Sequence, residues 1–217
     1  EPPEKTIFFL ISHKIGAVLP TIRSRCQLVR LPPLNQIDCR DVLHILNPDI
    51  DTEHLGLLVS LCEGAPGYGI MLTQTQILPL FETFCRLCCA QKPMLSELLE
   101  LSQKWGRDIT KNPDLARSTY YLFDKLFSSA ALYTYKDRSD FSVDDGEIPK
   151  NGISELGMPQ FFIAMIEKLN ICYPSEDIAA LHFDWSQSYR QAGERYLDMG
   201  IFLQQYFYKI YSQIQTS

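Results

Sequence analysis

The chain holds 217 residues, 46% hydrophobic and 21% charged, with a formal net charge of −6 at pH 7. That balance excludes a disordered chain, and the negative sign excludes a global positive field that would draw the whole chain onto nucleic acid. No apolar run reaches the roughly 18 residues of a membrane span, so no membrane partner is expected.

The chain opens on EPPEK with no basic-plus-apolar leader, and is expected to be the C-terminal piece of something longer. Seven cysteines, an odd number without framework spacing, are expected as reduced thiols in a cytoplasm. TIFFLIS at 6–12 is a short unbroken apolar run, the pattern of a strand covered on both faces in a parallel sheet. QLVRL at 27–31 reads as a second strand, stopped by Pro32 and Pro33. Two such strands do not make a stable sheet alone, so the rest of the sheet is expected elsewhere. Between them lies LPTIRSRC, with Arg23 and Arg25 among small polar residues. From spacing alone these are solvated loop arginines.

Beyond Leu34 the pattern becomes helical. Asn35 caps a helix running through Leu46. Asp51 or Thr52 caps the next, whose Leu55, Leu58, Val59 and Cys62 repeat at helical spacing, with Gly64 at its C-terminal cap. EGAPGYGI at 63–70 turns tightly into a further helix with Pro66 in its first turn. Longer helices are predicted over 80–90, 94–104, 112–135, 159–169, 175–197 and 200–213. The polar, breaker-rich stretch 136–156 is expected as a disordered loop. The fold class is therefore mainly α: two parallel strands left of an α/β domain, a small helical unit, then a C-terminal helical bundle.

This order resembles the end of the nucleotide-binding domain in clamp-loader subunits of the AAA+ class, delta prime family. The resemblance is specific over 2–34, carried by Pro2-Pro3, Ser12 at the end of an apolar run, Pro20-Thr21-Ile22 and Ser24-Arg25-Cys26. EGAPGYGI resembles the family's second-sensor turn. The stretch 185–203, with Tyr196-Leu197-Asp198 where the family often has Asn-Leu-Asp, matches more weakly. The resemblance implies the end of an AAA+ domain over 1–34, a helical lid over 35–78 and a helical collar for oligomerisation over 79–217.

It also implies roles for single residues. Arg25 is the arginine finger, acting in trans on ATP held by a neighbouring subunit. A guanidinium stays charged and offers a planar fork to phosphate oxygens, which offsets charge developing on the γ-phosphate. Arg23 supports it, and Ser12 stands at a sensor-like, cofactor-facing position. Clamp-loader ATPases usually carry an arginine just after the Gly-x-Pro-Gly turn, and here that place is Tyr68. A tyrosine cannot pair bidentately with phosphate, which favours a member that lends a finger and hydrolyses no nucleotide. The implied partners are other clamp-loader subunits in a hetero-oligomer, with the sliding clamp and primed DNA reached through the complex. On this reading the chain is a component of the DNA polymerase III holoenzyme, a DNA-directed DNA polymerase, without activity or bound cofactor of its own. The alternatives are an ATP-hydrolysing gamma- or tau-like subunit, another AAA+ subunit, or a freestanding helical adaptor.

Other candidate chemistry is weaker. Cys85, Cys88 and Cys89 resemble half a zinc site, but a structural zinc needs four ligands, and their spacing suits one packed helical face. SVDDGE at 142–147 lacks the alternating ligands and closing glutamate of a calcium loop. His13, His44, His54 and His182 are scattered. The groups Tyr120, Tyr121, Phe123, Phe127 and Tyr206, Phe207, Tyr208, Tyr211 read as core or interface rather than base-stacking platforms, which need basic grooves.

Overall fold

Polar caps and prolines at the heads of apolar runs set the helix boundaries. The computed structural model describes residues 5–12, 14–92, 94–138, 158–194 and 197–216. Its elements are a 3-10 turn at Ile15–Ala17, then α1 (Pro20–Arg23), α2 (Gln36–Leu46), α3 (Thr52–Cys62), α4 (Pro66–Gln74), α5 (Ile77–Cys89), α6 (Leu95–Lys111), α7 (Pro113–Arg138), α8 (Gln160–Cys172), α9 (Ser175–Glu194) and α10 (Met199–Thr216). The fold is mainly α, and the chain divides into two units, Glu1–Pro33 and Leu34–Ser217.

The caps satisfy N–H groups that a helix start leaves free. Asn35 accepts from the Asp38 N–H at 2.9 Å to begin α2, and Asp51 from the His54 N–H at 2.8 Å to begin α3. Asn112 does the same for α7, and Asp198 for α10, where the Gly200 N–H donates at 2.7 Å. At the end of α3 the left-handed conformation falls first on Glu63, at φ 48°, and then on Gly64, at φ 79°. α5 starts three residues earlier than expected, because Pro79 in a first turn gives up no intrahelical donor. α7 runs to Arg138, so the expected loop starts later, and its remainder, with SVDDGE, lies outside the described residues.

The two expected strands are not formed. Among the described residues no strand occurs, and 6–12 and 27–31 carry no ladder. A strand exists only as part of a ladder with a neighbour's backbone, and among the described residues neither run forms one. Their apolar side chains stand in solvent, with Ile11 92% and Leu31 90% exposed.

In Leu34–Ser217, α2 packs on α3 and α4, while α4 touches α5 and α7; α7 lies along α8 and α9, and α10 along α6. The core is aromatic. Phe123, fully buried in α7, meets Phe81 and Phe84 of α5, Trp105 of α6, Phe127, Trp185 of α9 and Phe207 of α10, with centroids 4.8–6.0 Å apart. Polar tips in this core have partners, as burial requires. The Trp105 indole N–H donates to Thr119 Oγ1 at 2.9 Å, and the Tyr206 hydroxyl to the Leu181 carbonyl at 2.9 Å.

α6 runs to Lys111 rather than ending near 104, because Gly106 is a contact residue and not a breaker. A Cβ built on Gly106 would lie 2.1 Å from the Gly200 Cα, so the backbones of α6 and α10 touch there. On Gly200 the nearest atoms a Cβ would meet are the Asp198 carboxylate at 3.0 Å and the Gln103 backbone at 3.9 Å.

Gly106→Ala is expected to destabilise by about 3 kcal/mol or more, at the upper end of overpacking effects, and Gly200→Ala by about 1 kcal/mol; urea unfolding measures the contrast. Phe123→Ala is expected to lose about 3–5 kcal/mol and to lower the thermal midpoint further than any single truncation of an exposed residue.

Candidate functional site: an exposed arginine turn

Within Glu1–Pro33, Pro20 opens α1 at its first position, where its missing N–H is no loss. The helix lasts one turn and then tightens. The Ser24, Arg25 and Cys26 N–H groups donate to the carbonyls of Pro20, Ile22 and Arg23 at 2.9, 3.0 and 3.4 Å, and the Ser24 hydroxyl donates to Thr21 O at 3.2 Å. This winding puts Arg23 at the end of α1 and Arg25 two residues on, both exposed. Among the described residues no carboxylate pairs with either guanidinium. The sequence explains why locally: from Lys5 to Ile37 there is no aspartate or glutamate.

Ser12 is exposed and engaged locally. Its hydroxyl donates to the Lys14 carbonyl at 3.1 Å and accepts the Lys14 N–H at 3.3 Å. The structure thus gathers Arg23 and Arg25 on one turn, while the hydrogen bonds of Ser12 lie within its own turn. Pro2, Pro3, His13 and Tyr196 lie outside the described residues.

In Leu34–Ser217, Tyr68 sits in the first turn of α4 and stacks on Tyr121 of α7, with centroids 4.4 Å apart and planes 7° off parallel. The Tyr121 hydroxyl donates to the Leu61 carbonyl at 2.6 Å, and burial pushes its phenol up. Lys125 pairs with Glu63 at 2.7 Å and lies 5.5 Å from the Tyr121 ring centroid. Gly69 follows because a Cβ there would lie 2.6 Å from Leu43 Cδ2 and 2.9 Å from Cys62 Sγ.

Two histidines bridge helices in ways the sequence did not announce. The His54 ring pairs with Asp51 through Nδ1, and its Nε2 lies 3.4 Å from Glu82 of α5, which also holds Arg86. Burial alone raises the Asp51 carboxyl, but hydrogen bonds from the His54 backbone and ring outweigh it and leave it below its usual value. His182 of α9 pairs with Asp124 of α7 at 2.7 Å. No local pattern marks pairs 28 or 58 residues apart; His44 is exposed.

Cys85 and Cys88 are fully buried in α5, where desolvation raises both thiols. Among the described residues no group of three or more His, Cys, Asp or Glu is placed to hold a metal, and no helix is long and apolar enough to cross a membrane. Phe123, Phe127, Tyr206, Phe207 and Tyr211 are buried, Tyr120 and Tyr121 half-buried, and Tyr208 exposed.

Residues 1–35 match the family model described as DNA polymerase III, delta subunit. That match links the chain to a clamp-loader-related family. It contains the arginine turn and stops two residues past the boundary at Pro33 between the two units. No curated protein and no solved structure matches the chain.

Cys26 is exposed beside Arg25, whereas Cys39, Cys62, Cys85, Cys88 and Cys172 are buried. Brief treatment of the native protein with N-ethylmaleimide is expected to label Cys26 first, and Cys85, Cys88 and Cys172 only after denaturation, as counted by mass spectrometry.

Proposed function

We propose that this chain is a clamp-loader subunit of the delta prime type, acting in DNA replication within DNA polymerase III. It presents Arg25 to ATP on a neighbouring subunit, with Arg23 in support and Ser12 at a sensor-like position, and it joins the other subunits through its helical bundle. The observation that carries this reading is the family match over 1–35, a segment whose exposed Arg25 pairs with no carboxylate among the described residues. An unpaired fork on a tight turn keeps its full charge for an external triphosphate. Supporting the non-hydrolysing type, Tyr68 replaces the phosphate-reading arginine of ATP-hydrolysing relatives, and its ring is already committed to Tyr121. On this reading ATP belongs to the neighbour, the partners are other clamp-loader subunits, and the sliding clamp and primed DNA are reached through the assembly.

In a clamp loader reconstituted with this chain, Arg25→Ala is expected to slow hydrolysis at the accepting site by about 10³-fold or more, with the assembly intact by size exclusion. Arg25→Lys should stay slow, because an ammonium cannot present the fork, and Arg23→Ala should have the smaller effect. Unchanged turnover in Arg25→Ala overturns the finger. A chain that joins no clamp-loader subunit overturns the assignment and favours a freestanding helical adaptor.

A further inference from the structure

Cys39 of α2 and Cys62 at the end of α3 are each 1% exposed and belong to the same hydrophobic core. Leu43, one turn along α2 from Cys39, and Cys62 Sγ both crowd the point where Gly69 would carry a Cβ, at 2.6 and 2.9 Å. Residues at i and i+4 share one helix face, so Cys39 faces the same spot, and the two thiols interact with one another. α2 contributes only Cys39 and Leu43 to the buried core, against seven buried residues from α3. A helix held by so little buried surface opens locally before its neighbours do. The end of α3 is fastened differently, through Tyr121 to Leu61 and Lys125 to Glu63.

We propose that Cys39 and Cys62 are a dithiol that closes to a disulfide under a two-electron oxidant such as hydrogen peroxide, locking α2 onto α3. Opening of α2 admits the oxidant. One thiolate attacks the peroxide, giving a sulfenic acid and releasing water. The other thiol then attacks that sulfur, the S–S bond forms, and a second water leaves. Two electrons pass from the two sulfurs to the peroxide. Desolvation raises the Cys62 thiol to about 12 and Cys39 also rises, so the closed helix protects the pair and opening sets the rate. Cys85 and Cys88 sit on α5 among seven buried residues and lack such an exit. This site is independent of the arginine turn.

The test uses the whole chain with Cys26→Ser, which removes the exposed thiol. After peroxide treatment and alkylation, non-reducing peptide mapping is expected to show a Cys39–Cys62 link ahead of any link at Cys85, Cys88, Cys89 or Cys172. Hydrogen exchange across α2 should slow by tenfold or more in the oxidised protein and recover on reduction. Exchange in α2 of the reduced protein should be faster than in α5, which also checks the opening without any core substitution. Both thiols remaining fully alkylatable after oxidation and unfolding, or links scattered equally over the other cysteines, overturns the proposal.

Discussion

Burial of the Phe123 ring is the constraint on which the helical unit depends. The residue sits midway along α7 and touches rings from α5, α6, α9 and α10, so one side chain fixes the distance of α7 from four neighbours. Edge-on contacts to Phe81 and Phe84, at 87° and 64°, suit the ring quadrupole. Around that centre the polar tips of Trp105, Tyr206 and Tyr121 find oxygen acceptors, which lets bulky rings be buried without stranding a donor. The close passage of α6 and α10 at Gly106 and Gly200 follows from the same demand, because rings on both helices reach Phe123 only if the backbones approach.

The three-helix group α2–α4 is joined to this bundle by a few directed contacts. Tyr68 on Tyr121, Tyr121 to the Leu61 carbonyl, and Lys125 to Glu63 all fall at the junction of α3, α4 and α7. Glu63 is positioned for that ion pair by its left-handed backbone, an uncommon conformation for a residue with a side chain. Tyr68 therefore has a packing role of its own.

Charge divides the chain as clearly as packing does. Between Lys5 and Ile37 there are five lysines and arginines and no carboxylate, in a molecule whose net charge is −6. Among the described residues Arg23 and Arg25 pair with no carboxylate, as that local composition leads one to expect. The same segment leaves a row of apolar side chains in solvent. The family match falls on this segment and not on the helices beyond, so the functional reading rests on the turn at Pro20–Arg23 and the two residues after it.

Local chemistry was enough for the long helices and for several of their starts. Asn35, Asp51, Asn112 and Pro66 act where capping rules put them, because a cap needs only its own backbone. The apolar spacing of α3 and the aromatic set on α7 likewise named part of the core, including Phe123 and Phe127. The exposed turn with Arg23 and Arg25 was legible too, since Pro20 and the small residues after it wind that turn unaided. Tertiary structure decided the rest. Whether 6–12 and 27–31 become strands depends on partners that no local pattern encodes, and among the described residues neither run is part of a ladder. The role of Gly106 is visible only where the backbone of α10 lies against it. His54 and His182 acquire carboxylate partners only when helices distant in sequence pack side by side. Hydrogen bonds within one turn are written in neighbouring residues, while contacts between turns are written in the way the whole core fills its volume.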